Sequence, residues 1–134
     1  MQEEFKHKGI TEKIIGCAMR VHGFLGPGFR ELVYEKSLII ELRMAGLKCE
    51  TQIYRDIYFR DTLVGKRRLD LLVEDKVLIE LKAVSEIDNV IYNQALNYLK
   101  VFGFEVGLVL NFGTPSLQIK RLAVTKNLRN PLNP

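Results

Sequence analysis

Apolar residues return at helical spacing from Thr11 to Leu25, with Ile14, Ala18, Val21 and Leu25 on one stripe and Thr11 placed as an N-cap. Gly26-Pro27-Gly28 then breaks the chain. A second helix is predicted from about Arg30 to Ala45, stopping at Gly46 as C′ residue. Its apolar positions (Leu32, Val33, Leu38, Ile39, Ile40, Leu42) lie on more than one side, so a well-buried helix is expected. Lys48 to Arg60 is rich in β-branched and aromatic residues and reads as a strand, followed by a turn at Asp61–Gly65. Lys66 to Val73, which holds the apolar run Leu69–Val73, and the apolar run Val77 to Val84 read as the next strands, joined by Glu74-Asp75-Lys76. Ser85 and Asp88 resemble a capping box opening a third helix that runs to about Phe102 and ends at Gly103. Glu105 to Asn111 forms a further apolar strand, Ser116 to Val124 a candidate edge strand, and Asn127 to Pro134 a loosely ordered tail. The order helix, helix, three strands, helix, one or two strands describes one α/β domain with a mixed sheet across residues 1–134.

Composition narrows the class. Apolar residues make up 47% of the chain and charged residues 27%, the balance of a folded globular domain and not of a disordered one. No apolar run reaches the roughly 18–20 residues needed to span a bilayer, so no membrane partner is expected. The first residues, Met1 to Lys6, lack the layout of a secretory signal, and a cytoplasmic location follows as the default. Cys17 and Cys49 stand in no metal-type spacing and read as small buried residues. His7 and His22 form no ligand pair. Basic and acidic groups balance through Glu105; beyond it the chain has no acid but keeps Lys120, Arg121, Lys126 and Arg129, an edge that suits phosphate or merely water.

Two of the apolar strands hold ionisable residues where buried strands should have none. Asp70 interrupts Leu69–Val73, and Glu80 and Lys82 interrupt Val77–Val84. Ionised groups there are costly unless paired, hydrogen-bonded or metal-bound. Glu80 and Lys82 are two apart, so they project from one face. Whether Asp70 joins them depends on the loop between the strands. A two-residue turn at Asp75-Lys76 would pair Asp70 with Leu81, whereas the three-residue loop Glu74-Asp75-Lys76 pairs Val73 with Val77 and hence Asp70 with Glu80. With that register, two carboxylates and a lysine make a site for a hard cation and a phosphate; a structural ion-pair network competes evenly with it.

Asp70-x9-Glu80-x-Lys82 on consecutive strands before a helix resembles the PD-(D/E)XK nuclease superfamily, and the element order matches its αβββαβ core. Leu69 stands where that motif has proline. Gly28-Phe29-Arg30-Glu31-Leu32-Val33-Tyr34 reads G-x-x-E-x-x-Y and is similar to the signature of the GxxExxY branch of that superfamily. The resemblance implies a restriction-endonuclease-like core with an extra N-terminal helix. It also implies Mg²⁺- or Mn²⁺-dependent hydrolysis of nucleic acid, DNA ahead of RNA. Asp70, Glu80 and the Leu81 carbonyl would hold the ion, and Lys82 would act on water or on phosphate charge.

Glu31 and Tyr34 share a helix face. The resemblance makes Glu31 a further catalytic acid and Tyr34 a substrate contact, against a helix-dipole acid and a core tyrosine. Gln94 and Tyr98, four apart in line with Ile87 and Ile91, resemble the Q-x-x-x-Y of exonuclease-like members; Gln94 would be a polar group on a core-facing stripe in need of a partner. Lys66, Arg67 and Arg68 could grip phosphate, with Arg68 the substrate-binding candidate, but a solvated hairpin end accounts for them better. The alternative function is a nucleic-acid-binding or protein-interaction module on the same fold. Oligomeric state is not legible in the chain.

Overall fold

The computed structural model describes residues 6–125; the tail expected at Asn127–Pro134 lies outside them. The elements are α1 (Lys8–Leu25), α2 (Glu31–Met44), β1 (Cys49–Phe59), β2 (Thr62–Val73), β3 (Val77–Lys82), α3 (Asn89–Phe102), β4 (Val106–Asn111) and β5 (Gln118–Ala123). The five strands form one sheet in chain order, antiparallel except for the β3/β4 pair, which is parallel because α3 crosses between them. Helices cover both faces. Ile14, Ala18, Leu38 and Leu42 of α1 and α2 pack with Leu71, Ile79, Leu81 and Leu108 in one buried cluster. Ala95 and Leu99 of α3 pack with Leu72, Leu78, Val109 and Leu122 in the other. Both cysteines are free and buried, and no helix among the described residues is long and apolar enough to cross a membrane.

Local chemistry moves several boundaries. Thr11 does not cap α1: the helix begins a turn earlier, and the Thr11 hydroxyl donates to the Lys8 carbonyl at 3.1 Å. Asp88, not Ser85, caps α3, its carboxylate accepting from Ile91 N–H at 2.9 Å. The β1/β2 turn is the dipeptide Arg60-Asp61, both left-handed (φ 50° and 65°), the backbone that matches strand twist in a two-residue hairpin. Thr62–Gly65 therefore belongs to β2, with a bulge where Ile57↔Gly65 gives way to Tyr58↔Leu63.

β3 stops at Lys82 instead of Val84 because a side chain replaces the ladder. Buried Asn111 accepts from Val84 N–H at 2.9 Å and donates to the Val84 carbonyl at 3.0 Å. Gly113 passes so close that a Cβ there would sit 2.5 Å from the Val84 backbone nitrogen and oxygen. These contacts, with Phe112 N–H donating to the Lys82 carbonyl at 2.8 Å, fix the end of β3.

The loop Glu74-Asp75-Lys76 gives the register that brings the acids together. Val73 pairs with Val77 and Leu71 with Ile79, which places Asp70 opposite Glu80. Pairing between β2 and β3 ends just there. On the other side, the β1/β2 ladder skips the Gln52/Asp70 step, and Gln52 is left-handed at φ 54°. This kink reverses the faces of the hairpin. Leu71 and Val73 belong to the α1/α2 cluster, whereas Leu69 and Ile53 beyond the kink join the α3 cluster.

Candidate functional site

Asp70 sits at the gap in both ladders, so its neighbours' backbone groups need other partners. Its Oδ2 accepts from Leu81 N–H at 2.8 Å, a side chain doing a strand's work, and its Oδ1 accepts from Arg68 Nη1 at 3.4 Å. Glu80 is only 4% exposed. One oxygen, Oε2, accepts from Arg67 Nη2 at 3.4 Å; the other, Oε1, is buried with no hydrogen-bond partner. Burial, and then the Asp70 charge, push the Glu80 carboxyl up to about 7, against the opposing pull of Arg67 and Lys82. Alternation along β3 puts Glu80 and half-buried Lys82 on the α3 side with Leu78, while Ile79 and Leu81 point to the α1/α2 core.

Glu31 reaches the cluster from the first turn of α2. It is exposed at the rim, yet burial of its carboxyl raises its pKa; Asp70 and Glu35 add to the rise, and Lys82 and Arg67 oppose it. Glu31 thus begins its helix, where a carboxylate favours the dipole, and lies within electrostatic reach of Asp70, Glu35, Lys82 and Arg67. Tyr34 has a different place from the one expected. It is fully buried, stacked on Phe112 at 4.7 Å between ring centroids, and cannot touch substrate. Its hydroxyl donates to the Gly26 carbonyl at 2.6 Å and accepts from Phe29 N–H at 3.1 Å, clamping the loop whose Gly28 is left-handed at φ 115°. In G-x-x-E-x-x-Y the glycine and tyrosine therefore build the turn that presents Glu31.

Gln94 also departs from expectation: it is exposed on α3, not on its core-facing stripe, because the buried stripe of that helix runs through Ala95 and Leu99. Tyr98 does border the site. The Arg67 guanidinium lies over its ring at 4.7 Å. Burial raises the Tyr98 pKa, Arg67 lowers it and Glu80 raises it again. Arg67 and Arg68 are not a solvated hairpin end. They lie within β2, one residue apart in the chain and on opposite faces, so Arg67 meets Glu80 while Arg68 bridges Asp70 and Glu35 of α2 at 3.4 and 3.3 Å. Glu35 escaped the sequence reading, although its position four residues after Glu31 places it on the same helix face. Asn111 escaped as well; a polar residue closing an apolar strand was the available signal.

The arrangement interleaves four acids (Glu31, Glu35, Asp70, Glu80) with Lys82, Arg67 and Arg68 at a point where two strands part. Among the described residues no three His, Cys, Asp or Glu side chains form a ready-made metal group. A D…E-x-K set on adjoining strands of a helix-covered mixed sheet defines a restriction-endonuclease-like domain.

The chain belongs to the PD-(D/E)XK nuclease superfamily, whose family model matches residues 8–122. The crystal structure of the protein SSO0001 has the same fold, with a TM-score of 0.51 and 20% identity over 70% of this chain. The matched part is 51% of that protein, so this chain spans about half of its length. No curated protein matches the sequence.

Proposed function

We propose that the protein is a Mg²⁺- or Mn²⁺-dependent phosphodiesterase that cleaves nucleic acid, DNA ahead of RNA, in the cytoplasm, and that it belongs to the GxxExxY branch of its superfamily. The observation that carries this reading is the buried, unpartnered Oε1 of Glu80 beside the Asp70 carboxylate, with Lys82 two residues on. A carboxylate oxygen removed from water without a donor is expensive, and a cation is the partner such an oxygen lacks. The donor set of Asp70, Glu80 and the Leu81 carbonyl is all oxygen, which fits a hard divalent ion.

Such an ion would polarise the phosphoryl oxygen and lower the pKa of a bound water. Asp70 and Glu80 would hold it, and Glu31 at the rim would accept hydrogen bonds from its waters. Lys82 would orient the attacking water and stabilise charge developing on phosphate. Arg67 and Arg68, now paired with Glu80 and Asp70, would turn to the substrate phosphates once those carboxylates are engaged. The Tyr98 ring supports the Arg67 guanidinium, and Gln94, exposed on α3, would have at most a positioning role toward substrate.

The same two arginine pairs favour a second reading, in which they neutralise the acids permanently and the domain binds nucleic acid without cleaving it. The deciding assay uses linear, nicked, branched and single-stranded DNA, and RNA, with Mn²⁺ and Mg²⁺ at low salt. Lys82→Ala is expected to abolish cleavage with the melting temperature nearly unchanged, and Asp70→Asn to abolish both cleavage and any Mn²⁺-induced thermal shift. Gln94→Ala is expected to weaken activity less. Cleavage that survives Lys82→Ala would refute the assignment; tight binding with no cleavage of any substrate would establish the second reading.

A further inference from the structure

β1 and β2 are 11 and 12 residues long, but β3 has six and pairs with β2 only from Leu71 to Val73. The hairpin from Ile53 to Leu69 therefore leaves the sheet as a two-stranded ribbon rooted at Asp70. Because the faces reverse at Gln52, residues 53, 55, 57 and 59 of β1 lie on the α3 side with 65, 67 and 69 of β2, the side onto which Glu80 and Lys82 open. Along this face Arg55 is directly opposite Arg67. Like charges directly opposite one another destabilise a strand pair. Arg67 is drawn to Glu80, whereas Arg55 is exposed and its bond at 3.2 Å is to the neighbouring Tyr54 carbonyl. None of the positions on this face is an acid. Toward the tip, Phe59 is 49% exposed and carries the Arg60 guanidinium over its ring at 5.6 Å. The opposite face differs: Lys66 is paired with Asp56, and Arg68 with Asp70 and Glu35.

We infer that the α3-side face of this ribbon is a nucleic-acid-binding track, in which Arg55 contacts a backbone phosphate and Phe59 stacks on a base or sugar beyond it. Arg67 has Glu80 as its partner and Arg55 feels Glu50 without a direct ion pair to it, so a polyanion on this face supplies the close counter-charge for Arg55. Cations interleaved with an exposed aromatic ring match a sugar–phosphate strand better than a protein surface. The track is continuous with Lys82 and Glu80, so it would hold the flank of the same substrate. The identity of that substrate rests on the function proposed above, whereas the binding itself does not require cleavage.

The test measures anisotropy of fluorescein-labelled 30-nucleotide single-stranded and duplex DNA, in EDTA, over a salt series. Arg55→Ala is expected to weaken binding several-fold and to reduce the salt slope by about one unit, the mark of one lost phosphate contact. Phe59→Ala is expected to weaken single-strand binding by about fivefold or more, the effect of a lost stacking platform. Arg55→Glu separates function from folding: it can pair with Arg67 across the strands, so thermal stability should hold or rise while binding falls. Lys66→Ala, on the other face, should change binding by less than twofold.

Unchanged affinity and slope in Arg55→Ala, or an equal loss in Lys66→Ala, would overturn the track even if the enzyme cleaves DNA. A change of oligomeric state in Phe59→Ala by analytical ultracentrifugation, with DNA binding intact, would overturn it in favour of self-association. Loss of binding in Arg55→Ala by a protein that cleaves nothing would support the track and refute only the hydrolytic function.

Discussion

Replacing Glu80 by Gln should make the metal-free protein more stable at alkaline pH and change little at acid pH. The Glu80 carboxyl titrates near pH 7 in the folded protein because burial and Asp70 disfavour its charge, whereas in the unfolded chain it titrates near its ordinary 4.5. Between those values the folded state holds a proton that the unfolded state has released, so stability falls as pH rises through the window. The full difference is a cost of about 3 kcal/mol, reached above pH 7. Gln keeps the shape and carries no charge. Its amide replaces the unpartnered Oε1, while Arg67 retains the Tyr98 ring and partial contact with water.

Urea unfolding in EDTA at pH 8 should therefore show Glu80→Gln more stable by up to about 3 kcal/mol, and at pH 4.5 the two proteins should nearly coincide. Mn²⁺ at a hundred times its dissociation constant should restore about 2.7 kcal/mol to the natural protein at pH 8 and nothing to the variant. A variant less stable than the natural protein at pH 8, or an advantage equal at both pH values, would refute the claim that buried charge on Glu80 is the strained element of the site.

Tyr34→Phe removes the hydroxyl that joins Gly26 and Phe29 through two part-buried hydrogen bonds; it should cost about 1–2 kcal/mol in chemical denaturation. Activity should fall through displacement of Glu31 and not through substrate affinity, so KM should hold while kcat drops. Gly113→Ala drives a methyl group into the Val84 backbone, which cannot move aside, and should destabilise by about 3 kcal/mol; thermal melts that match the natural protein would contradict this close approach.

Much of the framework follows from the chain alone. The helical stripe of α1, the stop near Gly46 and the apolar runs of β3 and β4 are local patterns, and local patterns survive folding when the buried face they define is needed. E-x-K places Glu80 and Lys82 on one face through the period of two, and a three-residue loop at Glu74–Lys76 is enough to set Asp70 opposite Glu80. Tertiary structure decided the remainder, because it concerns which of two exposed or buried neighbours a side chain meets. Tyr34 lies in the core only because α2 packs it against Phe112 from another layer. Gln94 falls outside the buried stripe because α3 rolls about its axis to bury Ala95 and Leu99 against β4 and β5. Arg67 and Arg68 acquire partners because β2 extends past β3, and they face opposite layers with no signal in the sequence that says which. The left-handed Gln52 reverses the faces of the ribbon and so decides that Arg55 shares a side with Glu80. A single backbone torsion of that kind leaves no hydrophobic period to read, since it is selected by packing on both sides of the strand and not by the residue that adopts it.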